Sequence, residues 1–181
     1  MTESVQVSGD LTNMNKDRKT VMTILFTLLT AGLIALDQVT KSFIVRTYQV
    51  GTGESFINNF FSFFYVKNTG SAFSFLADKS WGIYVLTGFS TLLALVVLYF
   101  MIKALKVQEY MVAGALMLLF SGAVGNLIDR YRLHYVVDFI RFDFGTYTFP
   151  IFNIADICAV LGTIILIAIM LFLPKRVEKV W

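Results

Sequence analysis

The sequence is poor in charge, cysteine and histidine, and each shortage excludes a class of protein. Only 15% of the 181 residues are charged, whereas 57% are hydrophobic, and the mean hydropathy is +0.72. A soluble domain of this length is rarely so apolar, so the composition indicates an integral membrane protein. The net charge of +3 is modest and its cations lie between apolar segments, which does not support nucleic-acid binding.

The sequence has one cysteine, Cys158, and one histidine, His134. A single cysteine excludes an internal disulfide and a thiolate metal cage. The absence of a His-Glu-x-x-His pattern argues against a zinc metalloprotease, and a Ser-His-Asp triad would have to recruit His134. We therefore interpret Cys158 as a small core residue and His134 as an exposed hairpin residue.

Four apolar segments are long enough to cross a membrane, since about 20 helical residues span about 30 Å of hydrocarbon. They cover about residues 20–45, 81–102, 110–130 and 153–173. Residues 1–19 are polar and predict a flexible cytoplasmic tail, followed by a membrane domain over 20–174 and a cytoplasmic C-terminal tail over 175–181. No small-x-small cleavage site follows the first span, so we expect it to be a retained anchor rather than a secretory signal.

Four crossings return the chain to the face on which it started. The short flanks on that face are dense in cations, namely Lys16, Arg18, Lys19, Lys103, Lys106, Lys175, Arg176 and Lys179. The positive-inside rule places this face, with both termini, in the cytoplasm. The two long connections, over about 46–80 and 130–152, are then expected on the outer face.

Both long connections carry strand signals. Residues 56–66 are rich in aromatic and β-branched side chains, which predicts short strands at the membrane interface. Residues 135–144 alternate, and a Gly145-Thr146 turn leads into 147–149, which predicts a β-hairpin. The predicted fold is therefore mainly α, with four transmembrane helices and a small extracytoplasmic β-platform.

Several aspartates stand at the ends of the apolar spans. A carboxylate is costly at membrane depth, so such a cluster is a functional-site hypothesis by default. The spacing of Asp37 and Lys41 predicts an i,i+4 ion pair, or a role for either residue in orienting another loop or contacting a headgroup. Asp129 stands next to Arg130, with which it most simply makes a charge pair.

Asparagines accompany these carboxylates. Asn126 shares a helical face with Gly122 and must find polar partners near the end of a membrane helix. Residues 68–73, which include Asn68 and Gly70, read as a turn. Asn153 and Asp156 share one face at the start of the fourth span.

Asp138 lies between Val136 and Ile140 on one face of its strand, so its carboxyl should be desolvated and its pKa raised. If Asp156 approaches, like-charge repulsion makes the two carboxyls share a proton. Such a pair suits peptide hydrolysis, because one member activates water while the other hydrogen-bonds the carbonyl. Metal or ion binding uses similar residues, and a Ser-Lys dyad of Ser71 with Lys41 is a further alternative.

Five motifs in register resemble those of the bacterial lipoprotein signal peptidases, or signal peptidase II. They cover about residues 36–173, so only the first residues of the chain lie outside the resemblance. The motifs are Asp37-Gln38-x-x-Lys41, Asn68-Thr69-Gly70-Ser71-Ala72-Phe73, Gly122-x-x-Gly125-Asn126-x-x-Asp129-Arg130, Val136-Val137-Asp138-Phe139 and Phe152-Asn153-x-Ala155-Asp156.

The resemblance implies four membrane helices with an outer β-cradle in the bacterial cytoplasmic membrane. It implies an aspartic endopeptidase that cuts diacylglyceryl-modified prolipoproteins before the lipidated cysteine, without metal or organic cofactor. The family's catalytic dyad falls on Asp138 and Asp156. The family's supporting or substrate-contacting positions fall on Asn68, Gly70, Asn126, Arg130, Asn153, Asp37, Lys41 and Asp129, of which Asp129 is the rival for a catalytic role.

Two other functions stay open on the residues alone. A lipid-binding membrane protein would need outer-face aromatics and basic residues, but not paired carboxylates. An ion-coupled carrier would use Asp138 and Asp156 for charge movement, yet its acids should lie near the bilayer midplane rather than at the span ends. The position of the acids therefore favours hydrolysis of a membrane-embedded substrate. The expected partners are prolipoproteins and membrane lipids, with a monomer as the default.

Overall fold

The computed structural model describes the backbone of residues 2–70 and 81–181, and side chains from residue 14 onward within these ranges. The part of the chain that it describes contains five helices and one four-stranded sheet. In chain order these are α1 (Thr2–Thr47), β1 (Gly53–Ile57), β2 (Phe61–Asn68), α2 (Gly82–Lys106), α3 (Tyr110–Leu133), β3 (Val136–Phe144), β4 (Tyr147–Thr148), α4 (Ile154–Phe172) and α5 (Pro174–Glu178).

Four of the helices are long and apolar enough to cross a membrane. The spanning segments are Met14–Thr47, Gly82–Lys106, Tyr110–Leu133 and Ile154–Phe172. Large apolar side chains such as Leu28, Leu92 and Leu171 point outward from these helices. In lipid an outward apolar face carries no hydrophobic penalty, so the prediction of a four-span, mainly α membrane protein is confirmed.

The third span lies at the centre of the helix bundle, where it packs closely against α4. A Cβ at Gly122 would overlap the backbone carbonyl of Ala155. A Cβ at Gly125 would come within 2.7 Å of the Asp37 carboxylate and 3.0 Å of the Ala155 Cβ. Only glycine lets α1, α3 and α4 approach this closely, which is how small residues operate in membrane helix packing. This contact brings polar groups of three helices together at one end of the bundle.

The strands form one antiparallel sheet in the order β1-β2-β3-β4. In the pairing of β2 with β3, Val66 faces Asp138 and Asn68 faces Val136, after a register shift that begins at Phe63. A buried cluster that includes Ile44, Tyr65 and Phe139 joins the sheet to the end of α1. The predicted hairpin is present, with Asp143 paired to Thr148 across the turn.

Phe152 links the sheet to the fourth span. Its carbonyl accepts hydrogen bonds from the backbone N–H groups of Phe139 at 3.0 Å and Ile140 at 2.8 Å, and its own N–H donates to Ile140 at 3.1 Å. The next residue, Asn153, is the N-cap of α4. The N-cap of α4 therefore directly follows a residue that is hydrogen-bonded to the middle of β3, and this fixes the start of the helix beside that strand.

Both ends of the chain contain helix, where the sequence predicts a flexible N-terminal tail and a C-terminal tail. The backbone is helical from Thr2, because a helix nucleated in the apolar span propagates at the gain of one hydrogen bond per residue and no proline interrupts it. After Pro174 the chain forms α5, where Val177 and Val180 are buried. Arg176 and Lys179 pair with Glu109 at 3.1 and 2.6 Å, so these residues are part of the fold.

Candidate active site

Asp138 lies in the middle of β3 and is almost fully buried, with 2% of its surface exposed. Its two carboxyl oxygens accept hydrogen bonds from two amides: Asn68 donates to Oδ2 at 2.8 Å and Asn153 donates to Oδ1 at 2.7 Å. Asn68 comes from the neighbouring strand, two residues beyond the position that faces Asp138. Strand pairing and the α4 cap therefore hold this carboxyl group from opposite sides.

Asp156 lies in the first turn of α4 and forms a capping box with Asn153. The Asp156 N–H donates to the Asn153 side-chain oxygen at 2.9 Å, and the Asn153 N–H donates to Oδ2 of Asp156 at 3.1 Å. Its other oxygen, Oδ1, accepts a hydrogen bond from Asn126 at 2.7 Å. A carboxylate at this position also interacts favourably with the helix dipole.

Asn153 joins the two aspartates. While its side-chain oxygen caps α4, its amide nitrogen donates to Asp138, to Asn126 Oδ1 at 3.0 Å and to the Val137 carbonyl at 3.3 Å. The residue is completely buried. Because the same side chain contacts both elements, the structure brings Asp138 and Asp156 into one site, as the sequence predicts.

The protonation of Asp138 is perturbed by this environment. Burial is the largest effect, and the charge of Asp156 adds to it, so that together they raise the Asp138 pKa to about 7. Hydrogen bonds from Asn68 and Asn153 and the charge of Lys41 act in the opposite direction. The net direction is that expected for a carboxyl group that keeps a proton beside a second carboxylate.

A second buried cluster lies behind the aspartate pair and is centred on Lys41. Its ammonium group contacts Asp37 at 2.8 Å, Asp129 at 3.0 Å and Asn126 Oδ1 at 2.9 Å. The predicted Asp37–Lys41 pair is thus confirmed. The hydrogen bond from Lys41 fixes the Asn126 side chain with its amide nitrogen toward Asp156, and this connects the cluster to the site.

Asp129 does not pair with Arg130 as the sequence analysis expects. One of its oxygens accepts from Lys41 and from the Val137 N–H, and the other accepts from Gln38 at 3.1 Å. The physical reason is that consecutive helical residues point in different directions, so neighbours in sequence do not face each other. Asp129 therefore links α1, α3 and β3.

Arg130 interacts electrostatically with three carboxylates, Asp156, Asp138 and Asp129, without a salt bridge in the described ranges. Its buried Nε has no hydrogen-bond partner among the residues that the structure describes. The backbone N–H of Gly70 donates to Asn68 Oδ1 at 2.8 Å, which orients the amide that reaches Asp138. The alternative nucleophile Ser71 lies outside the described residues.

An apolar cavity of about 330 Å³ opens beside Asp156. Apart from that aspartate it is lined by apolar side chains, namely Phe149, Phe152, Ile157, Val160 and Leu161. Such a cavity next to a carboxylate can hold a hydrocarbon group close to a polar reaction centre.

Gln38, Ala155 and the cavity residues of α4 are not among the site residues that the sequence predicts. Gln38 donates to Asp37, to Asp129 and to the Gly125 carbonyl, and the Ala155 N–H donates to Asp37 at 2.9 Å. The position of Gln38 next to Asp37, at the end of a span, could have indicated that Gln38 belongs to the polar cluster. No sequence signal separates the α4 residues that line a cavity from those that face lipid.

These features define a multi-pass membrane protein with two carboxyl groups, one buried and one half-buried, at one end of its helix bundle. The profile of the family described as Signal peptidase (SPase) II matches residues 16–172. The chain belongs to the signal peptidase II family, and it is therefore a membrane protease.

Similar proteins occur in distant bacteria. The lipoprotein signal peptidase of Geobacter sulfurreducens is 39% identical over 154 residues, 84% of this chain and 94% of that protein. The lipoprotein signal peptidase of Enterococcus faecalis is 38% identical over 160 residues, 88% and 95% of the two chains. A solved bacterial membrane enzyme structure, obtained by the in meso method at 1.9 Å resolution, superposes with a TM-score of 0.69 at 33% identity and covers 82% of this chain and 93% of that chain.

Proposed function

We propose that the protein is an aspartic endopeptidase that removes the signal peptide from diacylglyceryl-modified prolipoproteins by cutting before the lipidated cysteine. Its relatives are lipoprotein signal peptidases. The observation that carries the aspartic mechanism is that Asn153 donates to both carboxyl groups, from its side-chain amide to Asp138 and from its backbone N–H to Asp156. The protein would lie in the bacterial cytoplasmic membrane, with both termini cytoplasmic and the sheet on the outer face.

In this mechanism Asp138 is the protonated member of the pair and Asp156 the ionised one. The raised pKa of Asp138, about 7, supports the first assignment. The position of Asp156 in the first turn of α4, where it accepts a backbone N–H and the Asn126 amide, supports the second. A neutral and a charged carboxyl group side by side are what general acid–base hydrolysis needs.

The proton transfers balance without a covalent intermediate. Asp156 takes a proton from water as the water oxygen attacks the scissile carbonyl carbon, and Asp138 gives its proton to the carbonyl oxygen. Asp156 then gives its proton to the leaving amine, while a hydroxyl of the tetrahedral intermediate returns one to Asp138. The C–N bond breaks, and the pair regains its starting protonation.

The apolar cavity beside Asp156 supports a lipid-bearing substrate. A diacylglyceryl chain on the cysteine after the scissile bond could occupy it and bring the peptide bond to the carboxylates. A bound hydrocarbon chain of this kind orients the reacting groups as well as adding affinity. The polar framework around Lys41 holds the carboxylates in position and takes no part in proton transfer.

Substitution of the two aspartates tests the mechanism on a diacylglyceryl-modified prolipoprotein. Asp138→Asn and Asp156→Asn should each reduce cleavage by at least about a hundredfold, because each removes a general acid or base. Both proteins should stay folded, since asparagine is nearly isosteric. Full activity of either variant contradicts the mechanism.

Asp129→Asn is the matched control, because it makes the same chemical change in a buried carboxylate of the same site. It weakens the pairing of Lys41 and should lower stability by roughly 3 kcal/mol, as the breaking of buried ion pairs does. Each folded molecule should nevertheless cleave at a measurable rate. A folded but inactive Asp129→Asn protein would mean that Asp129 belongs to the catalytic pair.

The lipid part of the proposal has its own test. Val160→Trp fills the cavity and should raise KM for the lipidated substrate much more than it lowers kcat. Ile164→Trp, one turn further along the same exposed face and outside the cavity, is the control and should leave both constants close to their original values. Equal effects of the two variants would show that the cavity is not the lipid site.

A further inference from the structure

A second cavity, of about 220 Å³, lies between the ends of α1 and α3 on the side of the bundle that carries the sheet. Its polar lining includes Lys41, Arg46, Arg132 and Asp129, and Val137 of β3 closes one side. Three cations therefore share this space with one carboxylate. Neither Arg46 nor Arg132 belongs to one of the sequence motifs or has a role in the proposed reaction.

The carboxylate in this cavity is not available to the arginines. Both oxygens of Asp129 are occupied, by Lys41 and the Val137 N–H on one side and by Gln38 on the other. Lys41 is in turn balanced by Asp37 and Asp129. Within the described ranges, neither Arg46 nor Arg132 forms a salt bridge, whereas the sheet arginine Arg141 is paired with Asp143 at 2.9 Å.

Even with Asp37 counted, the group holds three cations and two carboxylates. Among the residues that the structure describes, one positive charge is left without a partner. A phosphodiester carries a single negative charge and accepts hydrogen bonds from two guanidinium groups at once. One phosphodiester would therefore supply the single negative charge that balances this cavity.

An apolar groove continues from this cavity along α1. It has a volume of about 480 Å³ and shares Gln38, Ser42 and Arg46 with the cavity. Its other lining residues are Ala35, Val39 and Phe43, which lie toward the middle of the spanning segment. Since α1 rises about 1.5 Å per residue, the groove runs over a dozen ångströms or more from the arginines into the hydrocarbon layer.

We propose that this cavity and groove form a binding site for one anionic phospholipid, with the phosphate on Arg46 and Arg132 and an acyl chain along Ala35, Val39 and Phe43. The arrangement places charge at the end of the span and hydrocarbon at membrane depth, as in a lipid. It is separate from the apolar cavity beside Asp156, which has no cation in its lining. The site does not depend on the proposed peptidase mechanism.

Binding to the delipidated full-length protein in dodecyl maltoside, measured by native mass spectrometry, tests the site. The probes are dioleoylphosphatidylglycerol, dioleoylglycerol, which lacks the phosphate, and inorganic phosphate, which lacks the chains. Phosphatidylglycerol should bind with an apparent Kd at least about tenfold lower than either of the others, since each charged hydrogen bond contributes about a factor of ten. Equal binding of dioleoylglycerol or of free phosphate overturns the proposal.

Arg46→Gln and Arg132→Gln should each weaken phosphatidylglycerol binding by about tenfold, and the double variant by more. The matched control is Arg141→Gln, which removes a cation on the same side of the bundle that already has a partner, and it should bind as the unmodified protein does. Unchanged binding by the double variant, or an equal loss in the control, overturns the assignment.

Two further variants separate the charge from the groove. Arg46→Lys keeps the cation and should recover part of the binding lost in Arg46→Gln, even if the double variant does not fold. Ala35→Trp fills the groove without changing any charge and should weaken phosphatidylglycerol binding while phosphate binding is unchanged. Full binding of phosphatidylglycerol by Ala35→Trp contradicts the position given to the acyl chain.

Discussion

Asp138 and Asp156 stand on different elements, a strand and the first turn of a helix, and this difference separates their chemistry. Asp138 is enclosed in a sheet, between apolar neighbours and two side-chain amides. Asp156 begins a helix and accepts one of its bonds from the backbone. Burial and the charge of Asp156 raise the pKa of Asp138 to about 7, which is why the proposed acid is Asp138.

The pH dependence of cleavage follows from the proton on Asp138. Its pKa is raised to about 7, so the proton is present below that pH and is lost above it. We expect kcat/KM to fall as the pH rises through about 7, with one group titrating in this range. A pH–rate profile measures this, and activity that stays constant to pH 9 would contradict the role of Asp138.

The raised pKa of Asp138 also predicts the direction in which stability changes with pH. An ordinary aspartate ionises near pH 3.8, whereas folded Asp138 does so near pH 7. Between these values the folded protein binds the extra proton, so the contribution of this group to the free energy of unfolding decreases as the pH rises. Asp138→Asn should remove this part of the pH dependence, which denaturation at several pH values measures.

Residue chemistry predicted the partners of some side chains and not of others. The Asp37–Lys41 pair is local, since both residues lie on one helical face, and it could be predicted. The bonds from Asp129 to Lys41 and Gln38 join positions about ninety residues apart along the chain. A local sequence pattern cannot show a contact between residues so far apart, so the predicted pairing of Asp129 with the adjacent Arg130 was wrong.

At the scale of elements, the Asn153 side chain combines the N-cap of α4 with a hydrogen bond to the Asp138 carboxyl group. Asn153→Ala removes both and should lower stability by about 1 kcal/mol through the lost N-cap, together with most of the activity. Asn153→Ser keeps an N-cap oxygen but has no amide to donate to Asp138. It should be nearly as stable as the unmodified protein and still lose most of its activity.

Thermal unfolding and a cleavage assay on the two Asn153 variants provide the measurement. A loss of activity that simply follows the loss of stability would indicate that Asn153 is only a cap. Conversely, a stable but inactive serine variant separates the amide's hydrogen bonds to Asp138, Asn126 and the Val137 carbonyl from the cap, because serine keeps only the capping oxygen.

Helix packing in the bundle depends on close glycine contacts, of which the one at Gly122 can be tested directly. Gly122→Ala forces a Cβ into the backbone carbonyl of Ala155 and should destabilise the protein by about 1–3 kcal/mol, as overpacked cores are. Gly88→Ala is the control, because nothing lies within 4 Å of its Cβ position. It should be neutral or slightly stabilising, since alanine favours the helix. Equal unfolding temperatures for the two variants would contradict the close contact.

The elements themselves were largely predictable. Apolar length defined the four spans, and alternation with a Gly145-Thr146 turn defined the hairpin, because both are local patterns. The register shift after Phe63, which brings Asn68 onto the face of Asp138, depends on pairing between strands. The helical start of α1 and the packing of α5 were not predicted. A polar composition indicates exposure to solvent, but it does not show whether a helix continues through a segment or whether the segment packs against the fold.

For the whole molecule, the orientation in the membrane is a prediction that labelling can test. In a Cys158→Ala background, Thr146→Cys in the hairpin should react with a membrane-impermeant maleimide in intact cells. Lys106→Cys, at the end of α2, should react only after the cells are permeabilised, because the cation-rich flanks are expected in the cytoplasm. The opposite pattern would invert the topology and place the aspartate pair on the inner face.

The sequence by itself determined that this is a four-span membrane protein of the signal peptidase II family, because apolar length and motif spacing are properties of neighbouring residues. It also indicated which carboxyl groups to examine. Only the tertiary structure decided that Asn153 joins Asp138 to Asp156, that Lys41 holds Asp129, and that Arg46 and Arg132 line one cavity without a salt bridge in the described ranges. These relations connect distant residues through helix packing and strand register, which depend on the whole fold rather than on any one segment.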